Sequence, residues 1–239
     1  MAGCYGKIPA LGDFLSRNLP AAFVEAWDGW LRRVMGTCAR NGDDGWSDLY
    51  LAGPIWRFLL SPGVVGETGR AGVLVPSIDR IGRCFPLTIA TGIPEGMAAI
   101  DMVGAWAEGF ERAEIVSIGA IGRALDPEAF VDRVAGLPAP AASAGGPPVA
   151  SWVAPGPAAG SPAVGTRTAG APLDTADARG LIATLSPPLL AASPPGWSLW
   201  WHLEWEQRPA TTVLFAGLPP ADAACAMLLG SWKEGGWSG

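Results

Sequence analysis

The sequence predicts a mixed α/β (α+β) protein, a largely antiparallel sheet flanked by helices. Three observations carry that expectation. Helix-period and strand-period segments both occur, yet without the strict alternation that builds a parallel sheet. The run WSLWWHLEWE at 197–206 places Trp197, Leu199, Trp201, Leu203 and Trp205 at a period of two. It therefore reads as a strand with one apolar and one mixed face, and TTVLF at 211–215 returns beside it as a hairpin. Over 21–39, Phe23, Trp27, Trp30, Leu31 and Val34 recur at three- and four-residue steps, on one face of a helix.

The elements follow in order. GCYGKIPALGDFLSRNLP at 3–20 reads as a loop ahead of the first helix, which Asn18 and Pro20 start and the Asn41–Gly45 turn stops. A short helix or turn covers 46–51, and Ile55 to Leu60 form a buried strand closed by Ser61-Pro62-Gly63. Two further strands, 73–75 and 86–90, enclose a polar connection at 77–84. A helix is expected over 97–113, and another over 127–134 with Asp126 as its cap and Pro127 at its first position. Residues 138–179 are rich in Pro, Ala and Gly and nearly uncharged as far as about 173, with Trp152 as their one aromatic. Such a stretch buries too little apolar area to offset its ordering entropy and reads as a flexible insertion. It divides a single domain into an N-terminal part, 1–137, and a C-terminal part, 180–239. The latter holds GLIATL at 180–185, the tryptophan-rich strand, a turn at Gln207-Arg208-Pro209 and a closing helix from Ala221 to about Trp232.

Composition narrows the function classes. The chain has 239 residues, a formal charge of −6 and only 16 basic residues, which are scattered. Binding to nucleic acid or an anionic membrane needs clustered Lys and Arg, so neither is expected. No apolar run approaches the ~18 residues of a membrane span, and nothing at the N-terminus resembles an export signal. Cys4, Cys38, Cys84 and Cys225 are widely spaced, so a reduced, cytoplasmic protein is expected. Gly6-Lys7 is no P-loop, because Ile8 follows the lysine and Met1 stands where the motif needs its first glycine. GETGRAG at 66–72 and GAIGRAL at 119–125 read as turns. The single histidine, His202, excludes paired-histidine metal sites, and no G-x-S-x-G elbow accompanies it. The carboxylates Asp43-Asp44, and Asp13 with Asp79, form no recognisable acid–base pair. No enzyme activity, cofactor or metal is expected.

What remains is a set of polar residues near predicted strand ends: Lys7, Asp13, Arg17, Arg57, Ser77, Asp79, Arg80 and Arg83. They could lock loops together by internal ion pairing, or they could form a recognition surface. The mixed face of the Trp200 strand carries the same ambiguity, since aromatic residues anchor both cores and interfaces. An enzymatic or small-ligand role for the Asp13, Asp79, Arg80 and Arg83 set is the competing reading.

These residues also carry a resemblance. GCYGKIPALGDFLSRNLPAAFVEAWDGWL is similar to the opening of TagF (ImpM) proteins of bacterial type VI secretion clusters. SDLYLAGPIWRFLLSPGVVG, GVLVPSIDRIGRCFPLTIA, SLWW and the terminal GLP…LLGSW match in the same order. The resemblance implies an α/β sandwich of longin-like layering and a non-enzymatic accessory protein that restrains type VI secretion after translation. It further implies a link to the forkhead-associated scaffold and to the threonine-phosphorylation branch of control. A structural subunit of the apparatus is a further alternative. The family supplies no catalytic residues. Its motifs contain Lys7, Asp13, Arg17, Arg57, Ser77, Asp79, Arg80 and Arg83, whose role stays open between brace and interface.

Overall fold

A computed structural model describes residues 1–41, 45–141, 196–205 and 210–230. Its strands are β1 (Gly3–Gly6), β2 (Leu15–Arg17), β3 (Trp56–Leu60), β4 (Arg70–Val75), β5 (Leu87–Gly92), β6 (Trp197–His202) and β7 (Thr211–Ala216). They form one sheet in the order β2-β1-β5-β4-β3-β6-β7. Every pairing is antiparallel. The helices are α1 (Ala21–Asn41), α2 (Trp46–Leu51), α3 (Met102–Ala105) with a 3-10 turn before it, α4 (Ala107–Ile121), α5 (Pro127–Ala135) and α6 (Ala221–Leu229).

Two apolar cores lie on opposite faces of the sheet. Period-two alternation along β3 sends Trp56, Phe58 and Leu60 to one side, where they meet Trp27, Leu31, Tyr50 and Met227 of α1, α2 and α6. Leu59 points to the other side and joins Val73, Ile89, Trp106, Phe110 and Phe130. Because helices cover both faces, strands β3 to β7 are buried almost throughout.

Tryptophan suits this interior only where each indole N–H finds an acceptor, since an orphaned donor costs ~1–3 kcal/mol. Trp27 donates to Thr88 Oγ1 at 2.9 Å, Trp30 to the Pro219 carbonyl at 2.9 Å, and Trp56 to the Met227 carbonyl at 3.1 Å. Trp106 donates to the Pro138 carbonyl at 2.8 Å and Trp200 to Ser198 Oγ at 2.9 Å. Trp27 also stacks on Trp200, with centroids 6.1 Å apart and planes 3° from parallel.

Several sequence expectations are met. The α1 stripe faces the core, Asp126 accepts from the N–H groups of Glu128 and Ala129, and β6 pairs with β7 over its whole length. Others are corrected. The 3–20 segment is no plain loop, because β1 and β2 pair with each other and β1 pairs with β5. The helix expected over 97–113 is broken at Trp106, whose φ of −124° turns its ring inward onto Phe110. It restarts as α4 and continues to Ile121, so Gly119 is helical. The mixed face of β6 is buried too: Trp200 has no solvent exposure and cannot act as a partner-facing residue. His202 is buried, edge-on to the Trp56 ring, with a ring nitrogen 2.6 Å from the Leu203 carbonyl oxygen. GLIATL, the Gln207-Arg208-Pro209 turn, Asp43-Asp44 and residues 142–179 of the expected insertion lie outside the described residues.

The expectation that all cysteines are reduced is also corrected. Cys38 of α1 and Cys225 of α6 form a disulfide, with Cα atoms 5.4 Å apart at a sequence separation of 187. Sequence spacing could not pair them, because only the docking of α6 on α1 brings them together. A link closing so long a loop restricts the unfolded chain strongly. Reduction, or the Cys38→Ala variant, is therefore expected to lower stability by about 2–4 kcal/mol. Guanidinium unfolding with and without dithiothreitol measures this, and an identical midpoint would show that the link contributes nothing.

Candidate functional site

The polar signature residues converge where the chain leaves β1 and where it connects β4 to β5. After β1 the backbone turns tightly, the Leu11 N–H donating to the Ile8 carbonyl at 3.0 Å. The 77–84 connection folds into a small loop closed by an Ile78–Cys84 bridge and by the Phe85 N–H donating to Ser77 O at 2.9 Å. Gly82 sits at its tip with φ of +86°, a conformation open to glycine at little cost. The Arg80 N–H donates to the Leu11 carbonyl at 2.8 Å, so the two segments are joined through their backbones.

Asp79 is the hub. Its side chain has no solvent exposure, and both oxygens are saturated. Oδ2 accepts from Lys7 Nζ at 2.9 Å and Arg83 Nε at 2.6 Å, while Oδ1 accepts from the N–H groups of Ile81 at 3.0 Å and Arg83 at 2.9 Å. Arg83 Nη2 reaches on to the Gly12 carbonyl at 2.9 Å. Burial by itself would raise the Asp79 carboxyl, but the Lys7 ammonium and the Arg83 and Ile81 donors outweigh it and hold it well below the usual carboxylate range. Lys7 is itself buried, with Nζ 5.1 Å from the centre of the Phe14 ring.

A second set of contacts ties α2 to the same place. Ser77 Oγ donates to the Lys7 carbonyl at 2.8 Å. The Tyr50 hydroxyl donates to Ser77 O at 3.2 Å and accepts from Ser77 N–H at 2.9 Å. Burial raises the Tyr50 phenol well above its ordinary range, so it stays neutral and able to donate.

Of the residues chosen from sequence, Lys7, Ser77, Asp79, Arg80 and Arg83 are thus brought together, but Asp13, Arg17, Arg57 and Trp200 are not part of the hub. Asp13 is exposed and accepts from the next N–H, that of Phe14, at 2.8 Å. Arg17 lies on the edge strand and donates to Ser16 O. Arg57 projects from β3 towards α4, where Nε and Nη2 grip Glu114 at 2.6 and 2.9 Å, with the guanidinium over the Phe110 ring. It pins a helix to the sheet centre. Sequence reasoning passed over three residues: Tyr50, hidden in a short helix; Ile81, 70% exposed at the loop tip; and Arg70. Arg70 lies over the Phe23 ring, with a buried Nε that has no acceptor and a pKa lowered by burial. An isoleucine flanked by two arginines was the available signal for Ile81.

Chemically, a carboxylate carrying four hydrogen bonds and held ionised has neither a proton to give nor a lone pair well placed to take one. Among the described residues no group of three or more His, Cys, Asp or Glu side chains could hold a metal ion. No helix among them is long and apolar enough to cross a membrane.

Breaking a buried ion pair from one side costs ~3–5 kcal/mol, so Asp79→Asn is expected to destabilise the protein by about that amount. Because Asp79 is more acidic folded than unfolded, its contribution is complete above the unfolded carboxyl range near pH ~4. It is lost as pH falls below that value. Unfolding free energies from pH ~7 down to ~3 should decline less steeply in Asp79→Asn than in wild type. Parallel curves would remove Asp79 as the hub.

Comparison with known proteins places this geometry in context. The family model described as the TagF N-terminal domain, type VI secretion system-associated, matches residues 3–137. Among solved structures, the crystal structure of PA0076 from Pseudomonas aeruginosa PAO1 is 33% identical. It superposes with a TM-score of 0.71, over 97% of this chain and 95% of that one. No curated protein sequence matches significantly.

Proposed function

Since the chain belongs to the type VI secretion system-associated TagF family, we propose that it is a non-enzymatic accessory protein that restrains type VI secretion after translation. It acts through contacts with cytoplasmic components of the apparatus, the forkhead-associated scaffold being the first candidate. The family match over residues 3–137 is the observation that carries this reading. Site chemistry agrees with it: Lys7 and Arg83 pair with the buried Asp79, which lacks the raised carboxyl typical of a general acid. A saturated hub is a scaffold for presenting a surface, and it serves a binding protein better than a catalyst.

Deleting the gene should raise secretion through the cognate system, and plasmid-borne wild type should lower it again without changing the amounts of the core components. Unchanged secretion in the deletion strain would overturn the reading.

A further inference from the structure

The hub immobilises a turn from whose tip Ile81 projects into solvent. Asp79 fixes the N–H groups of Ile81 and Arg83, the Gly82 N–H donates to Asp79 O at 3.0 Å, and the Asp79 N–H donates to Arg83 O at 3.1 Å. Every residue from Arg80 to Arg83 is exposed, Ile81 to 70%. A β-branched apolar side chain at the tip of a loop gains nothing there for the fold of the isolated chain.

The two arginines add a directed charge. Arg83 keeps 59% of its side chain exposed although it is anchored to Asp79 and to Gly12 O. Arg80 lies over the same glycine, with Nη2 3.3 Å from where a Cβ would stand. A Cβ there would push that guanidinium off by a few tenths of an ångström, so glycine lets both arginines settle against one peptide. Arg80 makes no ion pair with any described residue. Two like charges drawn to one point on the surface repel each other, and an incoming carboxylate relieves that repulsion while accepting from Arg80.

Resting on the regulatory reading above, we infer that the Arg80–Ile81–Gly82–Arg83 turn is the contact surface for an acidic protein partner. Ile81 enters an apolar seat, and Arg80, beside Arg83, takes an Asp or Glu carboxylate at its rim. An exposed aliphatic anchor with charged neighbours fits a protein surface better than a free anion, which has no use for Ile81. Nucleic acid or an anionic membrane needs clustered Lys and Arg, and this turn offers only two arginines. Pre-organisation by Asp79 lowers the ordering cost of binding, the usual reason a rigid loop outperforms a loose one.

The test measures binding of the full chain to each purified cytoplasmic component of the cognate secretion cluster. Wild type is compared with Arg80→Glu and Ile81→Ser, neither of which removes a hub hydrogen bond, and both are first matched to wild type by melting temperature. One component should bind wild type, with affinity falling as salt rises from ~50 to ~200 mM. Each variant should bind it at least about tenfold more weakly. Reversing an acidic residue of that component to Lys should restore binding to Arg80→Glu. Anionic phosphatidylglycerol vesicles and a duplex oligonucleotide serve as the other probes.

Folded variants that bind as tightly as wild type overturn the turn as interface and leave the regulatory reading standing. So does a deletion that changes secretion while no component binds wild type. Binding to vesicles or duplex in place of a component also overturns the inference. If one component binds through the turn but deletion leaves secretion unchanged, the inference stands and the regulatory reading falls.

Discussion

A carboxylate withdrawn wholly from water organises this end of the molecule. Desolvating Asp79 costs several kcal/mol, and only well-placed donors offset it. Those donors come from separate stretches: Lys7 at the exit of β1, and the backbone and guanidinium of the 77–84 loop. Satisfying the charge therefore forces the edge hairpin and the β4–β5 connection into one arrangement. Tyr50 and Ser77 extend it to α2, and Arg80 and Arg83 hold down the loop through Leu11 and Gly12. Of the residues in this wiring, Lys7, Ser77, Asp79 and Tyr50 are buried, while Arg80 and Arg83 reach solvent.

The rest of the fold depends on a sheet covered on both faces. With helices above and below, strands β3 to β7 have no solvent side, and their aromatic residues must be satisfied internally. Indole N–H groups donating to carbonyls of distant segments, such as Trp30 to Pro219 and Trp56 to Met227, register α6 against α1 and β3. The Cys38–Cys225 link lies at the same helix contact. Arg57 with Glu114 performs the equivalent task on the opposite face. The tryptophan-rich strand is thereby closed off from solvent, while the 77–84 loop at the ends of β4 and β5 presents side chains outward.

Legibility in the sequence followed the range of the interactions. The α1 stripe, the Asp126 cap with Pro127, and the β6–β7 hairpin were legible because each rests on contacts within a few residues or on a short return of the chain. Strands β1 and β2 were not, since they are short, separated by a segment holding Pro9 and Gly12, and become strands only by pairing with β5 and each other. The break at Trp106 escaped notice because helical spacing continues through it, while the core draws its ring inward.

The sequence by itself determined the class of fold, most of its elements, and the set of polar residues among which the hub is found, because side-chain spacing and cap chemistry are local properties. It also excluded a phosphate loop and paired-histidine metal chemistry, since those require residue types that are missing. Only tertiary structure decided how those residues divide. It set Lys7, Asp79 and Arg83 in one buried network, sent Arg57 to Glu114 on the far face, closed Trp200 beneath α1 and left Ile81 in water. The physical reason is that burial and ion pairing depend on which distant segments meet, and the spacing of residues along the chain carries no record of that meeting.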